Sequence, residues 1–335
     1  MNYFITGGTG FIGTHLTNLL HEVHPEAKIY NLDIIEPGTP LPTVKNYKPA
    51  LRKGEEHAAT FIYCDVRQPI ELEKVDITPD DVIFNFAAVH RTPGHPDPAY
   101  FETNIRGAEN VCAFAERHGI RKIVFTSSIA PYGAAEELKE ETTLPMPNTP
   151  YGISKLVAEK IHQTWQAGGE GRQLTIVRPG VVFGRGENGN FTRLYWGIRG
   201  HKFMYPGRKD TIKACIYVKE LVRFMLYRLE HHDSGVELYN CCYEPAYTIE
   251  HIVESMKRVT NMKVKVPFMP GWLIMTAAGI AGALGSPMGI CPARVRKLQI
   301  STNICGKKLS ASGYRFHYTF EEALADWYKD NGNLY

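Results

Sequence analysis

The stretch Asn2-Tyr-Phe-Ile-Thr-Gly-Gly-Thr-Gly-Phe-Ile-Gly13 decides the fold class of this chain. It contains a short apolar strand and a glycine turn, and an amphipathic run from Thr14 to His24 follows. Glycines at these points permit a tight turn, a close approach of the backbone to a pyrophosphate, and close packing of helix on strand. The first turn of the helix offers free N–H groups and a positive dipole end to phosphates. The stretch therefore predicts a strand–turn–helix unit that binds a dinucleotide.

The second predicted strand, Lys28–Asp33, ends in an acid about 20 residues beyond Gly13. An acid at this position accepts hydrogen bonds from the adenosine ribose and repels a 2′-phosphate. We therefore expect NAD rather than NADP. The alternative is that Asp33 only caps the loop that follows the strand.

Strands and helices continue to alternate beyond this unit. Thr60–Val66 is typical of a strand followed by a loop, Asp81–Ala88 and Arg121–Ser128 are typical of strands, and Tyr100–His118 is typical of a helix. Strands separated by helices predict a parallel sheet with helices on both faces. The predicted fold class is α/β: a Rossmann-type doubly wound parallel sheet with a smaller C-terminal α/β substrate domain.

We expect residues 1–180 to form the dinucleotide-binding domain. Residues 181–335 should form most of the substrate domain, with some of this later chain crossing back to the first. Ligands of such sheets bind beyond the C-terminal ends of the strands. Several residues fall at or near these predicted ends: Asp65, Ala87, Ala88, Asn104, Ser127, Ser128 and Tyr151.

Composition narrows the function further. A formal net charge of +3 on 335 residues is too mild to indicate a nucleic-acid partner. The seven cysteines are odd in number and form no Cys-x-x-Cys, so we expect neither a disulfide framework nor a metal site. The first residues run directly into the predicted strand, which leaves no room for a signal peptide. A cytoplasmic location is expected.

The stretch Tyr151-Gly-Ile-Ser-Lys155 opens a predicted helix that extends to about Gln166. Residues four apart lie on one helical face, so the phenol and the ammonium can point into one pocket. A cation close to a phenol lowers its pKa from about 10, which would make Tyr151 an acid/base group near neutral pH. Taken alone, a Tyr-x-x-x-Lys match is more often a solvated helix face.

These residues together make the chain resemble the extended short-chain dehydrogenase/reductase family, in its nucleotide-sugar epimerase and dehydratase branch. The resemblance covers about the first 185 residues, in the family's order. It is carried by Thr6–Gly13, Asp33, Cys64-Asp-Val66, Asn85–Ala88, Asn104–Gly107, Thr126–Ser128 with Tyr132-Gly133, Tyr151 with Lys155, and Arg178-Pro-Gly180.

The resemblance implies an enzyme with tightly bound NAD. It implies that Ser128, Tyr151 and Lys155 are catalytic, with Tyr151 as the base and Ser128 as the hydroxyl that contacts the reacting oxygen. A sugar hydroxyl is oxidised, and the ketone turns over in the pocket before it is reduced on its other face. The cofactor-binding set implied is Gly7, Gly10, Phe11, Ile12, Gly13, Asp33, Asp65, Val66, Ala87, Ala88, His90, Asn104, Ser127, Tyr151, Lys155, Arg178 and Pro179.

The dehydratases of this branch need an Asp-Glu pair directly after the catalytic Ser or Thr. This chain has Ile129-Ala130 there, and neither side chain can transfer a proton. We therefore expect a C4 epimerase acting on UDP-glucose/UDP-galactose or UDP-GlcNAc/UDP-GalNAc in surface polysaccharide biosynthesis. The family also forms homodimers through two helices per subunit, here around 100–118 and 151–166.

The resemblance also suggests substrate contacts in the second half. Asn190 matches a residue that contacts the nucleotide diphosphate, although it could equally be a helix N-cap. Lys213 stands where the family carries a phosphate-binding Arg, and it lacks the bidentate fork of that side chain. Arg294 and Arg296 are candidates for the other diphosphate clamp, with a solvated basic face as the alternative.

Two departures from the family pattern leave the substrate open. Val181 follows Arg178-Pro-Gly where sugar-nucleotide epimerases carry an Asn that contacts substrate. Residues 266–293 have no charged side chain. Prolines and glycines interrupt this segment, so its longest unbroken apolar run is shorter than the roughly 20 residues that a membrane-spanning helix needs. They are either a buried helix or an apolar surface in contact with a membrane or a lipid tail.

At both departures the chain resembles a subgroup of bacterial epimerases. These enzymes act on an N-acetylhexosamine that is linked through diphosphate to a polyprenyl lipid. The elements Val295-Arg-Lys297 and Ser312-Gly-Tyr314 are also similar to that subgroup. A lipid-linked substrate is therefore the first alternative to a UDP-sugar. A hydroxysteroid-type or other net NAD-dependent dehydrogenase is the second, and a non-enzymatic dinucleotide sensor is disfavoured because Ser128, Tyr151 and Lys155 are all present.

Overall fold

The computed structural model describes residues 1–40, 48–52, 54–90, 94–133, 135–232, 235–276 and 299–334. The strands are β1 (Asn2–Thr6), β2 (Lys28–Asp33), β3 (Thr60–Tyr63), β4 (Val82–Asn85), β5 (Lys122–Thr126), β6 (Ala135–Lys139), β7 (Gln173–Pro179), β8 (Val181–Phe183), β9 (Tyr205–Pro206), β10 (Ile212–Lys213), β11 (Cys215–Tyr217), β12 (Gly235–Cys241), β13 (Tyr247–Thr248), β14 (Phe268–Met269) and β15 (Thr302–Ile304). The helices are α1 (Phe11–Val23), α2 (Asp97–Arg117), α3 (Pro150–Ala167), α4 (Asn190–Arg199), α5 (Val218–His231), α6 (Ile249–Val259), α7 (Lys307–Ala311) and α8 (Phe320–Asp330), with a 3-10 turn at Ala130–Tyr132.

A seven-stranded parallel sheet forms the centre of the molecule. Its strand order is β3-β2-β1-β4-β5-β7-β12, and every neighbouring pair is parallel. The order of strands reverses between β1 and β4, which is the point at which doubly wound sheets bind their ligands. The predicted Rossmann-type α/β fold is confirmed.

Alternate residues of β1 show why this sheet needs a helical layer on each face. Tyr3 and Ile5 pack with residues of α1 and α5 on one side, whereas Phe4 packs with residues of α2 and α3 on the other. Successive side chains of a strand point to opposite faces, so a strand buried on both faces is apolar throughout. Both faces of the sheet are therefore core, and the polar chemistry is left to the strand ends.

The later part of the chain builds smaller units around a separate apolar cluster. A four-stranded sheet has the order β13-β10-β15-β6, and β8–β11 and β9–β14 form two-stranded ribbons. Side chains of α4, α6 and α8 share one core with β11. Strand β12 meanwhile forms an edge of the large sheet, and the proposed domain division near residue 180 remains a prediction.

Two properties of the described residues bear on location and redox chemistry. None of the helices in the described ranges is long and apolar enough to cross a membrane. The described cysteines at 64, 112, 215, 241, 242 and 305 are buried free thiols. Cys291 lies outside the described residues.

Candidate active site

The glycine turn between β1 and α1 is packed so tightly that side chains are excluded. Gly7 has a φ of +71°, and a Cβ there would lie 2.7 Å from the backbone nitrogen of Ala87. A Cβ on Gly13 would lie 2.5 Å from the Cα of Gly8. These contacts draw the turn against the end of β4 and the helix against the turn.

The N-terminus of α1 fits a bound phosphate. The helix begins at Phe11 after Gly10, and no side chain within the described ranges caps it. Its first N–H groups, including those of Ile12 and Gly13, have no partner one turn earlier in the helix. Together with the positive end of the helix dipole they form an anion-binding surface, so the residues present fit a dinucleotide pyrophosphate.

Asp33 ends β2 beside this turn. Its carboxylate accepts hydrogen bonds from the backbone N–H of Thr9 at 3.1 Å and from that of Ile35 at 3.2 Å. Burial raises the pKa of Asp33, and the backbone N–H donors oppose this rise. The acid therefore does cap its own loop, and it also lies directly beside the phosphate turn.

The expected adenine-side residues follow β3. Asp65 forms an ion pair with Arg67 at 2.6 Å, and hydrogen bonds from Arg67 lower the pKa of its carboxyl. Val66 is buried, and its side chain lies 3.0 Å from where a Cβ on Gly107 would stand. Gly107 thus lets α2 approach the β3 loop closely.

The loop after β4 carries the residues expected on the nicotinamide side. Ala87 and Ala88 are partly buried and His90 is exposed. Asn104 of α2 holds this loop, because its amide accepts from the N–H of Val89 at 2.8 Å and donates to the carbonyl of Val89 at 3.0 Å. Asn104 also donates to the Ser154 hydroxyl at 2.9 Å, which ties the loop to α3.

Helix α3 presents Tyr151 and Lys155 from one face, as the spacing predicts. It begins after Thr149, whose side chain accepts a hydrogen bond from the N–H of Gly152, and Pro150 fits its first position. The predicted helix over 151–166 is thereby confirmed. The Lys155 ammonium is buried, donates to the carbonyl of Thr126 at 2.8 Å and lies 4.9 Å from the centre of the Phe125 ring.

The Ser128 hydroxyl lies close enough to the Tyr151 phenol to favour the ionised form of that phenol. Ser128 also accepts a hydrogen bond from the N–H of Ala130 at 3.1 Å, which holds it against the first residue of the 3-10 turn. The protein alone raises the pKa of Tyr151 to about 12, because burial outweighs the effect of Ser128. The expected lowering by Lys155 is therefore wrong for the chain by itself.

Lys155 shows the opposite effect of the same burial. Its pKa is lowered to about 7 because an ammonium loses solvation in the interior, and the negative charge of Glu159 only partly offsets this loss. A buried lysine whose pKa lies near neutral pH, one helical turn from a partly buried phenol, is characteristic of an acid/base site.

Ser127 and Arg178, both expected near the cofactor, are buried and engaged with Glu159. The Ser127 hydroxyl donates to Glu159 at 2.5 Å, and the Arg178 guanidinium donates to both carboxylate oxygens at 2.8 and 2.5 Å. Pro179 ends β7 next to Arg178. The guanidinium of Arg178 also lies 4.7 Å from the centre of the Tyr132 ring.

Of the other residues expected to contact substrate, Asn190 and Lys213 lie within the described part of the chain. Asn190 is the exposed first residue of α4, and its side chain accepts from Arg193 at 3.0 Å. The N-cap is Gly189, so the N-cap interpretation of Asn190 is wrong. Lys213 ends β10, and its ammonium donates to the carbonyl of Ile300 at 2.7 Å. Arg294 and Arg296 lie outside the described residues.

The uncharged segment 266–293 is described only up to residue 276. In this part Phe268, Trp272 and Leu273 are exposed by 52%, 70% and 41%. Its described start is therefore an apolar surface and not a buried helix.

Glu159 and Tyr100 were missed by the sequence reasoning. Glu159 follows Lys155 by the same four-residue spacing that identifies the Tyr151–Lys155 pair, so the spacing alone could have found it. Tyr100 is buried on α2 with its ring centre 6.2 Å from that of Tyr151. Only the packing of α2 on α3 reveals that contact.

This geometry agrees with comparison to known proteins. The family model for the NAD dependent epimerase/dehydratase family matches residues 3–242. The chain belongs to this family. NAD is accordingly its cofactor, which confirms the expectation drawn from Asp33 and the glycine turn.

Relatives with curated names extend the similarity over nearly the whole chain. An N-acetyl-alpha-D-glucosaminyl-diphospho-ditrans,octacis-undecaprenol 4-epimerase of Escherichia coli O157:H7 is 30% identical over 331 residues, covering 96% of this family member and 93% of the relative. A UDP-glucose 4-epimerase of Lacticaseibacillus casei is 30% identical over 302 residues, covering 81% and 85%. The solved UDP-glucuronic acid 4-epimerase of Bacillus cereus in complex with NAD shares the fold, with a TM-score of 0.72, 18% identity and 99% coverage of both chains.

Proposed function

We propose that this chain is an NAD-dependent C4 epimerase of a hexose or N-acetylhexosamine held on a diphosphate carrier. The observation that carries the proposal is the closeness of the Ser128 hydroxyl to the partly buried Tyr151 phenol, with the buried Lys155 one helical turn further on. A phenol, a hydroxyl and an ammonium in one cluster can move a proton on and off a sugar hydroxyl. The family's NAD supplies a hydride acceptor and donor when it is bound.

In this proposal Tyr151 is the base. As phenolate it takes the proton from the C4 hydroxyl while C4 loses hydride, and it returns the proton when hydride comes back to the opposite face of the 4-keto sugar. Ser128 hydrogen-bonds the reacting oxygen and relays the proton. The ammonium of Lys155 stabilises the phenolate by its charge.

The remaining roles concern the cofactor. We propose that the turn Gly7–Gly13 and the start of α1 hold the pyrophosphate and that Asp33 holds the adenosine ribose. Asp65 and Val66 would border the adenine, and the Ala87–His90 loop would border the nicotinamide. Asn104 would support the cofactor site by holding the Ala87–His90 loop, and Ser127 and Arg178, followed by Pro179, would support it through Glu159.

Net dehydration is disfavoured by the residues beside Ser128. Elimination of water from the sugar requires groups that exchange protons with the neighbouring carbons. Ile129 and Ala130 occupy the relevant positions, and Ala130 begins the 3-10 turn and donates its N–H to Ser128. We therefore place the chain among epimerases and not among dehydratases.

For the carrier, two observations favour a polyprenyl diphosphate over the UDP that the sequence patterns put first. The relative that acts on an undecaprenol-linked sugar aligns with 96% of this chain, whereas the UDP-glucose 4-epimerase aligns with 81%. Exposed apolar side chains that a lipid tail could contact also occur, at Phe268, Trp272 and Leu273. A UDP-sugar remains the second candidate.

The same apolar residues support peripheral membrane contact. The β9–β14 ribbon pairs Phe268 with Tyr205, whose N–H donates to the carbonyl of Pro267 at 2.9 Å. Lys202, Lys263 and Lys265 are exposed. Apolar anchors beside cationic side chains are the surface that binds an anionic bilayer. We propose a cytoplasmic protein that touches the membrane through this corner and serves surface polysaccharide assembly.

We also propose a homodimer formed through α2 and α3. Ile153 and Val157 lie one turn apart on α3 and are exposed by 39% and 36%. Two apolar side chains at this spacing form a stripe that a second copy would cover. Sedimentation velocity of Val157→Asp should then give a monomer, and an unchanged mass would oppose this interface.

The experiment that tests the function is proton NMR of candidate substrates incubated with the purified protein. UDP-N-acetylglucosamine and UDP-glucose are tested first, and polyprenyl-diphosphate-linked N-acetylglucosamine in detergent second. New anomeric signals of the galacto isomer without added cofactor support the proposal, and the substrate that turns over identifies the carrier. Stoichiometric formation of NADH with any of the three would overturn it in favour of a net dehydrogenase.

A further inference from the structure

A buried charge cluster lies behind the Tyr151–Lys155 pair. Glu159 occupies the next turn of α3 on the same face and is 1% exposed. Its carboxylate receives two hydrogen bonds from Arg178 of β7 and one from Ser127 beyond the end of β5. One carboxylate thus joins the catalytic helix to the strand end that carries Ser128.

The charges of this cluster can be counted. With Lys155 and Arg178 protonated and Glu159 ionised, the cluster carries one net positive charge while Tyr151 is a neutral phenol. Ionisation of Tyr151 brings the sum to zero. A buried group ionises most readily when its charge is compensated nearby, so the cluster holds in advance the charge that a phenolate needs.

The partner of Glu159 determines where this positive charge lies. Among the described residues Glu159 has its ion pair with Arg178, whereas the Lys155 ammonium donates to the carbonyl of Thr126. If Arg178 were absent, the same carboxylate would face Lys155 from one turn away and neutralise it. The lysine charge is available to Tyr151 because Arg178 occupies Glu159.

We propose that Glu159 and Arg178 are positioning residues that reserve the charge of Lys155 for the Tyr151 phenolate and fix the main chain at Ser127–Ser128. This inference depends on the roles proposed above for Tyr151 and Lys155. Neither residue touches the reacting atoms in this scheme. Arg178 acts by holding Glu159, and Glu159 acts by holding Ser127.

The other groups around Lys155 do not supply this balance. On α3, His162 is buried, and its Nδ1 donates to the carbonyl of Ala158 at 2.7 Å as in a neutral ring. From α2, Tyr100 reaches Tyr151, and Tyr132 of the 3-10 turn lies against Arg178 and donates to Asn240 at 2.9 Å. Within the described part of the chain, β5 offers the lysine the carbonyl of Thr126 and the ring of Phe125.

The test is a titration of Lys155 that needs no sugar. The protein is prepared with ¹⁵N at the lysine Nζ, and the Lys155 signal is identified by its loss in Lys155→Met. In Arg178→Met, the freed Glu159 should raise the Lys155 pKa by about one unit, and phenolate formation and kcat should fall about tenfold. Arg178→Lys, which keeps the charge, should titrate close to wild type, and Glu159→Gln/Arg178→Met should lose the rise.

Unchanged Lys155 titration in all of these variants would overturn the inference. If Arg178→Met does not fold, Glu159→Gln/Arg178→Met is compared with Glu159→Gln/Arg178→Lys, whose added cation should lower the Lys155 pKa by about one unit. An equal pKa in that pair would also overturn it. Failure of the proposed epimerisation would leave the titration intact, so the two failures can be told apart.

Discussion

The carboxylate of Asp33 accepts a hydrogen bond from the backbone N–H of Thr9 at 3.1 Å. This contact fixes the end of β2 against the phosphate turn, and the side chain of Thr9 donates to the carbonyl of Ile35 at 2.6 Å to close the same loop. The position of the acid is thus set by the turn itself. The second role that we propose for it, toward the adenosine ribose, depends on its charge.

Asp33→Asn should separate these two roles. The amide oxygen can still accept from Thr9, so the melting temperature should change little. Loss of the charged acceptor should weaken NAD by about tenfold or more, because a hydrogen bond to a charged group contributes about 1.5–3 kcal/mol. The preference for NAD over NADP should shrink, since a 2′-phosphate is no longer repelled. Calorimetric titration of both cofactors checks this, and Asp80→Asn at the surface is the control.

Gly13→Ala should lower the stability of the protein, whereas Gly10→Ala should lower its NAD binding. A Cβ on Gly13 would lie 2.5 Å from the Cα of Gly8, so we expect a loss of stability of about 1–3 kcal/mol. A Cβ on Gly10 would meet only the carbonyl of Gly7, at 3.1 Å, so the fold should survive while the pyrophosphate is obstructed. Thermal unfolding and bound NAD are measured for both. Equal NAD content in Gly10→Ala and wild type would contradict the proposed site.

Tyr151→Phe should lose nearly all turnover, by about 10²–10⁴-fold, while NAD content stays near wild type. Ser128→Ala should lose less turnover than Tyr151→Phe, because the Tyr151 base remains. Ser128→Thr should be more active than Ser128→Ala, because it restores the hydroxyl. Proton NMR gives the rate, and the absorbance of released cofactor gives the content. Turnover that persists in Tyr151→Phe would assign the base to another group.

The buried ring of His162 should make stability depend on pH. Burial lowers its pKa from 6.5 to about 4, so the folded state favours the neutral ring. This stabilisation is present above pH 6.5 and is lost as the pH falls toward 4, by about 3 kcal/mol. His162→Gln should flatten this part of the curve of melting temperature against pH, and the exposed His251→Gln should not. Parallel curves for the wild type and His162→Gln would contradict the assignment.

The apolar corner should respond to polar substitution in a vesicle assay. Trp272→Ser and Leu273→Ser should reduce sedimentation with vesicles that contain anionic lipid by several fold, and higher salt should reduce it further. Val236→Ser is a matched control, because Val236 and Leu273 are both 41% exposed and Val236 lies on the edge strand β12. An equal effect of Val236→Ser and Leu273→Ser would argue against a specific membrane face.

The sequence reveals features that depend on short-range geometry. The turn Gly7–Gly13, the acid Asp33 and the pair Tyr151–Lys155 are each defined within a few residues by backbone conformation or helical spacing. Their alternation with apolar strands is sufficient to predict the parallel sheet, which the structure confirms. Glu159 belongs to the same category, since it continues the four-residue spacing of α3.

The tertiary structure determined what depends on groups distant in the chain. Spacing suggested that Lys155 would lower the pKa of Tyr151, but burial raises that pKa and the neighbouring Tyr100 adds to the rise. Glu159 can be found from spacing, yet its pairing with Arg178 depends on β7 packing beside β5. Local geometry follows from neighbouring residues, so the sequence alone determined the glycine turn Gly7–Gly13 and the helix that carries Tyr151 and Lys155. The pKa of a buried group depends on the solvation and charges contributed by all the elements packed around it. Only the tertiary structure therefore determined the pKa values of Tyr151 and Lys155.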